Sequence, residues 1–226
     1  MFTTLISDCD GVLIDSEVVA FEVLVAEAQA IFPQIDVSAH LNCAFGQKTE
    51  ELVRQLAVKA GVSIPDGFLQ HLRRATDLSI EMHAKAVADV AVLVNWPQLK
   101  AIASNSGTVR VRAAAELVGA LQRDDVHIFS ADQVAAPKPA PDLYQLVAQR
   151  LKVLPADCLV IEDSLSGVVS ARAAGMAVIG FTGGAHIPEG HEQVLREAGV
   201  LDVFHEMKEL PQVLKRIANW SVSDHL

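Results

Sequence analysis

The spacing of apolar residues changes near residue 88. Between residues 15 and 87 they recur every three or four positions, as in helices that bury one face. From residue 89 onward, short apolar runs alternate with helical segments, which is typical of a parallel sheet with helical crossovers. Residues 2–7 add an opening strand. The pattern predicts a core domain, residues 1–14 and 88–226, interrupted by a helical domain, residues 15–87.

The core is expected to be a three-layer α/β/α fold with a Rossmann-like parallel sheet. The predicted strands are 2–7, 100–104, 126–130, 158–161, 177–181 and 203–204, and the predicted helices are 16–32, 49–60, 66–86, 89–96, 108–121, 141–151, 164–174, 192–198 and 211–220. Because the helical domain follows the first strand directly, we expect it to act as a cap over the ends of the strands.

Composition limits the class of partner. The chain has 226 residues, a hydrophobic content of 51% and a net charge of −10. This content excludes general disorder, and the negative charge excludes nucleic acid and anionic membrane as partners, since both require basic surfaces. We therefore expect a small-molecule partner. The sequence leaves the oligomeric state open, and a monomer is compatible with it.

The apolar runs and the cysteines indicate the cellular compartment of the protein. The longest apolar runs have the length of strands, and the N-terminus lacks the pattern of a secretory signal. Cys9, Cys43 and Cys158 are odd in number and lack metal-type spacing, which favours a reducing compartment. These features predict a cytoplasmic protein without a membrane span.

Two acids end the first predicted strand. Asp8 and Asp10 are separated by one residue, and Gly11 then breaks the strand. At the carboxyl end of a central strand both acids can face one crevice, where a hard divalent cation such as Mg²⁺ would relieve their repulsion. The alternative is an ordinary turn after a strand.

Polar residues also follow the next predicted strand. Ser104 and Asn105 come directly after it, and a hydroxyl with free amides at such a turn suits a phosphoryl oxygen. The same residues could also be a simple helix cap.

A lysine and a second acidic pair complete the candidate site. Lys138 lies between Pro137 and Pro139, which restrict the backbone and so aim the side chain. Glu162 and Asp163 end a further predicted strand and would complete the cation site, or else cap the helix that follows. The histidines of the nearby loop, His186 and His191, are interpreted as exposed polar residues.

Together these motifs resemble the haloacid dehalogenase superfamily. They are DCDGVLIDSE at 8–17, Ser104, the pair Lys138-Pro139, and EDSLSGVVSARAAGM at 162–176. The resemblance implies that Asp8 is a nucleophile and Asp10 a general acid/base.

The resemblance also implies a phosphate site and a metal site. Ser104 and Lys138 would hold the phosphate. Mg²⁺ would be bound by Asp8, the backbone carbonyl of Asp10 and Asp163, with Glu162 either a further ligand or a residue behind the ligands.

The branch of the superfamily is indicated by Asp10. Dehalogenases and phosphonate-cleaving relatives lack this acid, so its presence favours phosphoryl transfer. In the β-phosphoglucomutase branch a histidine stands where this chain has Ala20, and a basic residue stands where it has Phe45. Both differences favour a phosphatase, and a phosphomutase remains the alternative.

The resemblance therefore implies a Mg²⁺-dependent phosphatase that acts on a sugar, sugar-acid or polyol phosphate through an aspartyl-phosphate. In the cap, Gly46, Gln47 and Lys48 are candidates for contacts with the substrate. Outside this class, the same acids, serine and lysine could belong to a phosphorylated receiver or to a non-catalytic protein that binds a phospho-ligand. The large insertion after the first strand opposes a receiver, which is one small domain.

Overall fold

The computed structural model divides the chain into two compact units and describes residues 2–41 and 49–220. The core unit comprises Met1–Asp15 and Lys85–Leu226, and the inserted unit comprises Ser16–Ala84. The division lies close to the positions at which the spacing of apolar residues changes along the sequence.

The sheet of the core unit is parallel. The strands are β1 (Thr4–Ser7), β2 (Ile14–Asp15), β3 (Lys85–Ala86), β4 (Leu99–Ser104), β5 (His127–Ser130), β6 (Cys158–Glu162), β7 (Ala177–Phe181) and β8 (Val203–Phe204). In the described part of the chain, six of them form one sheet with the order β5-β4-β1-β6-β7-β8, and every pairing in it is parallel. The carboxyl ends of β4 and β6 therefore lie on either side of that of β1. The predicted Rossmann-like parallel sheet is confirmed.

Helices cover the sheet. They are α1 (Glu17–Ile31), α2 (Val37–Leu41), α3 (Thr49–Ala60) and α4 (Phe68–His83) in the inserted unit, and α5 (Ala91–Val94), α6 (Thr108–Leu117), α7 (Asp142–Leu151), α8 (Leu165–Ala173), α9 (His191–Glu197) and α10 (Leu210–Trp220) in the core unit. Ile6 and Val160 share a buried cluster with Tyr144 of α7. Their neighbours Leu5 and Ile161, which point to the opposite face, are buried as well. Burial on both faces gives the three-layer arrangement expected from the sequence.

The two ends of the insertion leave and re-enter the core unit side by side. Ile14 pairs with Ala86 and Asp15 pairs with Lys85 in an antiparallel ladder. The prediction of one helix over residues 66–86 was therefore wrong at its end, because α4 ends at His83 and the chain then becomes extended. A strand of two residues is too short to show an alternating pattern.

The inserted unit has its own hydrophobic core. Its buried members are Leu24, Ala28, Phe32, Val37, Leu41, Leu52, Val53, Leu56, Ala57, Phe68 and Leu72. The side chain of Gln29 fixes the loop between α1 and α2. Its Nε2 donates to Ile35 O at 2.9 Å, and its Oε1 accepts from Val37 N at 3.1 Å. The predicted helical insertion is confirmed. Among residues 2–41 and 49–220, no helix combines the length and the apolar content needed to cross a membrane.

Candidate active site

The turn after β1 places Asp8 and Asp10 at the carboxyl end of the central strand. Asp8 continues the ladder with β6, since its N–H donates to Ile161 O at 2.9 Å. Gly11 has a φ of +83°, and a Cβ on it would lie 1.9 Å from Asp163 Oδ2. Glycine is required here both by the positive φ and by the close approach of the second acidic motif.

Lys138, on the loop before α7, is a buried cation in this site. Its Nζ donates to Asp8 Oδ1 at 2.6 Å, to Glu162 Oε1 at 2.6 Å and to Ala103 O at 2.8 Å. Burial lowers the pKa of Lys138, but the charges of Asp8 and Glu162 outweigh it and leave the pKa well above its ordinary value. Lys138 is therefore charged at neutral pH and joins the two acidic motifs.

The backbone of Lys138 is held by Asn105, which follows β4. Lys138 N donates to Asn105 Oδ1, and Asn105 Nδ2 donates to Lys138 O, both at 2.9 Å. Each end of the Asn105 amide group is thus engaged in fixing the lysine. The predicted contact of Asn105 with a phosphate stays a prediction.

Glu162, the last residue of β6, is fully buried and has a donor at each oxygen. Oε1 accepts from Lys138 and from the Tyr144 hydroxyl at 2.7 Å, and Oε2 accepts from Ser164 Oγ at 3.0 Å. Burial, together with the charge of Glu162, raises the pKa of Tyr144 well above its ordinary value, so the phenol remains a donor. These contacts fit a residue that anchors Lys138 and stands behind the ligands of a metal ion.

Asp8, Glu162 and Asp163 form a buried acidic cluster, whose candidate ligand atoms all lie within 4.8 Å of one another. Burial raises the pKa of Asp8 well above its ordinary value, with Glu162 adding to the effect and Lys138 opposing it. Burial also raises the pKa of Asp163. The cluster has more acidic groups than Lys138 balances, and its oxygen donors fit a hard divalent cation such as Mg²⁺. The backbone carbonyl of Asp10 stays a predicted ligand.

The side chain of Asp10 is bonded to residues between the end of β4 and the first turn of α6. It accepts hydrogen bonds from Ser104 Oγ at 2.9 Å, from Ser106 Oγ at 2.7 Å and from Arg110 at 2.5 Å. Ser104, predicted to hold a phosphate, directs its hydroxyl at Asp10 in this arrangement. Sequence reasoning missed Arg110, because an arginine on the first turn of a helix carries no chemical signature by itself.

The loop after β7 and the start of α9 each bring one histidine to the second acidic motif. His186 Nε2 lies 3.0 Å from Asp163 Oδ2, and His191 Nε2 lies 2.6 Å from Asp163 O. The expectation that these histidines are simply exposed was wrong, because the loop folds back onto Asp163 and leaves the side chain of His186 12% exposed. A Cβ on Gly184 would lie 2.8 Å from the His186 ring, so this close approach requires a glycine.

The side chains of the two aspartates after β1 are more exposed to solvent than those of Lys138 and Glu162. The side chains of Asp8 and Asp10 are 10% and 16% exposed. Those of Lys138 and Glu162 are 2% and 0% exposed. A ligand that enters from solvent would therefore meet Asp8 and Asp10 before the lysine and the glutamate.

Phe45, Gly46, Gln47 and Lys48 lie outside the described residues, and their roles stay predictions. Ala20 lies in α1.

The strand ends of this parallel α/β core thus bring together two acidic motifs and a buried lysine. The chain belongs to the haloacid dehalogenase-like hydrolase family, whose sequence profile matches residues 2–175. The resemblance read from the four motifs is confirmed.

The chain is also similar to named phosphatases. The chain is 24% identical to the 6-phosphogluconate phosphatase of Escherichia coli (strain K12) over 219 residues, which cover 96% of each chain. It is 38% identical to hexitol phosphatase A of the same organism over 105 residues, which cover 46% of this chain and 45% of the relative.

A solved structure from Agrobacterium tumefaciens str. C58 is similar over almost the whole chain. It is a conserved haloacid dehalogenase-like protein of unknown function, with a TM-score of 0.82 and 31% sequence identity. The match covers 96% of this chain and 100% of that chain.

Proposed function

We propose that this chain is a Mg²⁺-dependent phosphatase that hydrolyses a small phosphorylated sugar, sugar acid or polyol through an aspartyl-phosphate. The observation that carries the proposal is the 2.6 Å contact between Lys138 Nζ and Asp8 Oδ1, because it places a fixed positive charge beside a carboxylate at the carboxyl end of the central strand. The family and the names of two relatives, which act on a sugar-acid phosphate and on hexitol phosphates, support the substrate class.

In the first step, an Asp8 oxygen attacks phosphorus and the bond from phosphorus to the leaving oxygen breaks. Lys138 reduces the repulsion between the Asp8 carboxylate and the phosphate dianion. Asp10 gives a proton to the leaving oxygen, because an alkoxide is a poor leaving group. The products of this step are the free alcohol and an aspartyl-phosphate at position 8.

In the second step, water attacks the phosphorus of the aspartyl-phosphate. Asp10, now a carboxylate, takes a proton from that water, and the bond from phosphorus to the Asp8 oxygen breaks. This releases inorganic phosphate and restores both aspartates. Asp8 and Asp163, with the Asp10 carbonyl, would hold Mg²⁺, which when bound supplies positive charge beside the phosphoryl group.

A phosphate-release screen with Mg²⁺ tests the proposal. The panel contains 4-nitrophenyl phosphate together with sugar, sugar-acid and polyol phosphates. We expect turnover of the aryl phosphate and of at least one alkyl phosphate in the panel. Binding of phosphate esters without any release would instead favour the receiver or the non-catalytic binding protein.

A second assay separates the phosphatase from a phosphomutase. β-Glucose 1-phosphate is supplied with a bisphosphate primer and Mg²⁺, and glucose 6-phosphate and free phosphate are measured in parallel. We expect free phosphate, because Ala20 and Phe45 lack the polar groups that a mutase needs to favour a sugar hydroxyl over water. Isomerisation faster than phosphate release would overturn the phosphatase assignment.

A further inference from the structure

The carboxylate of Asp10 is held from two sides by residues of one short segment. Oδ1 accepts from the Arg110 guanidinium at 2.5 Å. Oδ2 accepts from Ser104 Oγ at 2.9 Å and from Ser106 Oγ at 2.7 Å. The side chains of Asp10 and Arg110 are 16% and 19% exposed, so this ion pair is largely shielded from water. Charge-assisted hydrogen bonds in such surroundings are stronger than neutral ones.

The segment that carries these donors is itself well fixed. Ser104 ends β4, and its hydroxyl accepts from Ser106 N at 3.0 Å. Thr108, the first residue of α6, donates through its N–H to Asp132 Oδ2 at 2.7 Å, and its hydroxyl lies 2.6 Å from Ser130 Oγ. Val111, next to Arg110, is fully buried. These contacts fix the first turn of α6, and with it the backbone position from which the Arg110 side chain extends to Asp10.

The two oxygens of Asp10 face chemically different partners. A guanidinium can only donate hydrogen bonds, so Oδ1 acts as the acceptor in its contact with Arg110. A serine hydroxyl can donate or accept, so Oδ2 keeps compatible partners whether or not it carries a proton. Without Arg110, the carboxylate could turn about its terminal torsion, for which the energy wells are broad.

We propose that Arg110 is a positioning residue for the acid/base Asp10. It holds Oδ1, so that Oδ2 is the oxygen that exchanges the proton with the leaving group and with water. This inference rests on the proposed phosphatase function. Arg110 acts through Asp10 and does not need to touch the substrate.

A positioning role predicts a selective loss. An alkyl leaving group depends on protonation by Asp10, whereas 4-nitrophenolate leaves without it. A misplacement of about 1 Å in a catalytic group can cost about 10²-fold in rate. Removing Arg110 should therefore reduce kcat/KM for an alkyl phosphate far more than kcat/KM for 4-nitrophenyl phosphate. The ratio of kcat/KM values isolates the first step, because hydrolysis of the aspartyl-phosphate follows departure of the alcohol.

The experiment compares Arg110→Gln, Arg110→Lys, Asp10→Asn and the double variant of Arg110→Gln with Asp10→Asn. Arg112→Gln, an exposed arginine of the same helix, is the matched control. Each protein is assayed with 4-nitrophenyl phosphate and with the alkyl phosphate that the wild-type protein cleaves fastest in the screen. Thermal unfolding of each variant monitors the fold.

We expect Arg110→Gln to lower the alkyl-to-aryl ratio of kcat/KM by at least about tenfold, in the same direction as Asp10→Asn. Arg110→Lys keeps a hydrogen-bond donor, so its ratio should lie between those of Arg110→Gln and the wild-type protein. If Arg110→Gln does not fold, Arg110→Lys is used in its place. The double variant should have the ratio of Asp10→Asn alone, because both changes act through one group. Arg112→Gln should keep the wild-type ratio.

Two outcomes overturn the inference while leaving the phosphatase intact. One is an equal loss on both substrates in Arg110→Gln. The other is a further fall in the alkyl-to-aryl ratio of kcat/KM when Arg110→Gln is added to Asp10→Asn, as large as the fall caused by Arg110→Gln alone. That result would mean that Arg110 acts on something other than Asp10. If the wild-type protein releases phosphate from neither substrate, the proposed function itself fails, and the inference fails with it.

Discussion

Lys138 Nζ and Asp8 Oδ1 lie 2.6 Å apart, with the lysine 2% exposed and the aspartate 10% exposed. The lysine thus reaches Asp8 from the interior of the core unit. The same nitrogen lies 2.6 Å from Glu162 Oε1, so one positive charge is shared by two buried carboxylates. This arrangement makes Lys138 important for stability as well as for the proposed chemistry.

Replacing Lys138 by Met tests this double role. The change keeps an unbranched side chain but leaves Asp8 and Glu162 buried without their counter-charge. We expect a loss of about 3–5 kcal/mol in the free energy of unfolding. We also expect phosphate release to fall by about 10²-fold or more. Urea unfolding and the phosphate assay measure the two effects, and Lys215→Met, at an exposed position of α10, is the control. Wild-type stability and turnover in Lys138→Met would show that the contact is not needed.

Tyr144→Phe removes the hydroxyl that donates to Glu162 Oε1 at 2.7 Å and leaves the ring in place. Because a hydrogen bond to a charged group is lost, the free energy of unfolding should fall by about 1.5–3 kcal/mol. Lys138 still bonds Glu162, so turnover should fall less than in Lys138→Met. Urea unfolding at neutral pH gives the value. An unchanged free energy of unfolding would mean that the hydroxyl does not stabilise Glu162.

Gly167→Ala should destabilise the protein, although helix propensity alone predicts a gain of about 0.5–1 kcal/mol in α8. The added Cβ would lie 1.9 Å from the carboxyl carbon of Glu162, and such overpacking costs about 1–3 kcal/mol. Gly107→Ala is the milder comparison, because the nearest atom to its Cβ would be the Asp132 side-chain oxygen at 3.3 Å, which needs to shift only slightly. Thermal unfolding of both variants provides the test, and a higher Tm for Gly167→Ala would refute the close packing.

The metal hypothesis predicts that a chelator stops phosphate release and that added Mg²⁺ restores it. Ca²⁺ should inhibit, because it takes more oxygen ligands at longer distances and would engage the Asp8 carboxylate needed for attack. Release is measured on 4-nitrophenyl phosphate after chelation, with each cation added back separately. Full activity with Ca²⁺ alone would contradict a site built around Asp8.

The positions of Asp8, Ser104 and Asp163 could be predicted because they lie at or directly after the ends of β1, β4 and β6 in the parallel sheet. Since the carboxyl ends of neighbouring strands meet at one edge, strand order alone brings these residues together. The predicted insertion and sheet follow from apolar spacing, which is a local property of the sequence.

The partners of these residues could not be predicted in the same way. Arg110, Tyr144 and His186 reach the site from helices and from a loop, and their contacts depend on how side chains of distant segments pack. The antiparallel ladder of β2 and β3 was missed for a related reason, since its register appears only when both ends of the insertion are in place.

The assignment of Asp8 as nucleophile is the central claim, and phosphate release by Asp8→Asn tests it most directly. The amide keeps the size of the side chain but cannot attack phosphorus, so the account predicts a loss of turnover on 4-nitrophenyl phosphate of about 10³-fold or more. Asp124→Asn, at an exposed position, should retain wild-type turnover. Mg²⁺-dependent release by folded Asp8→Asn at a rate near that of the wild-type protein would contradict the account.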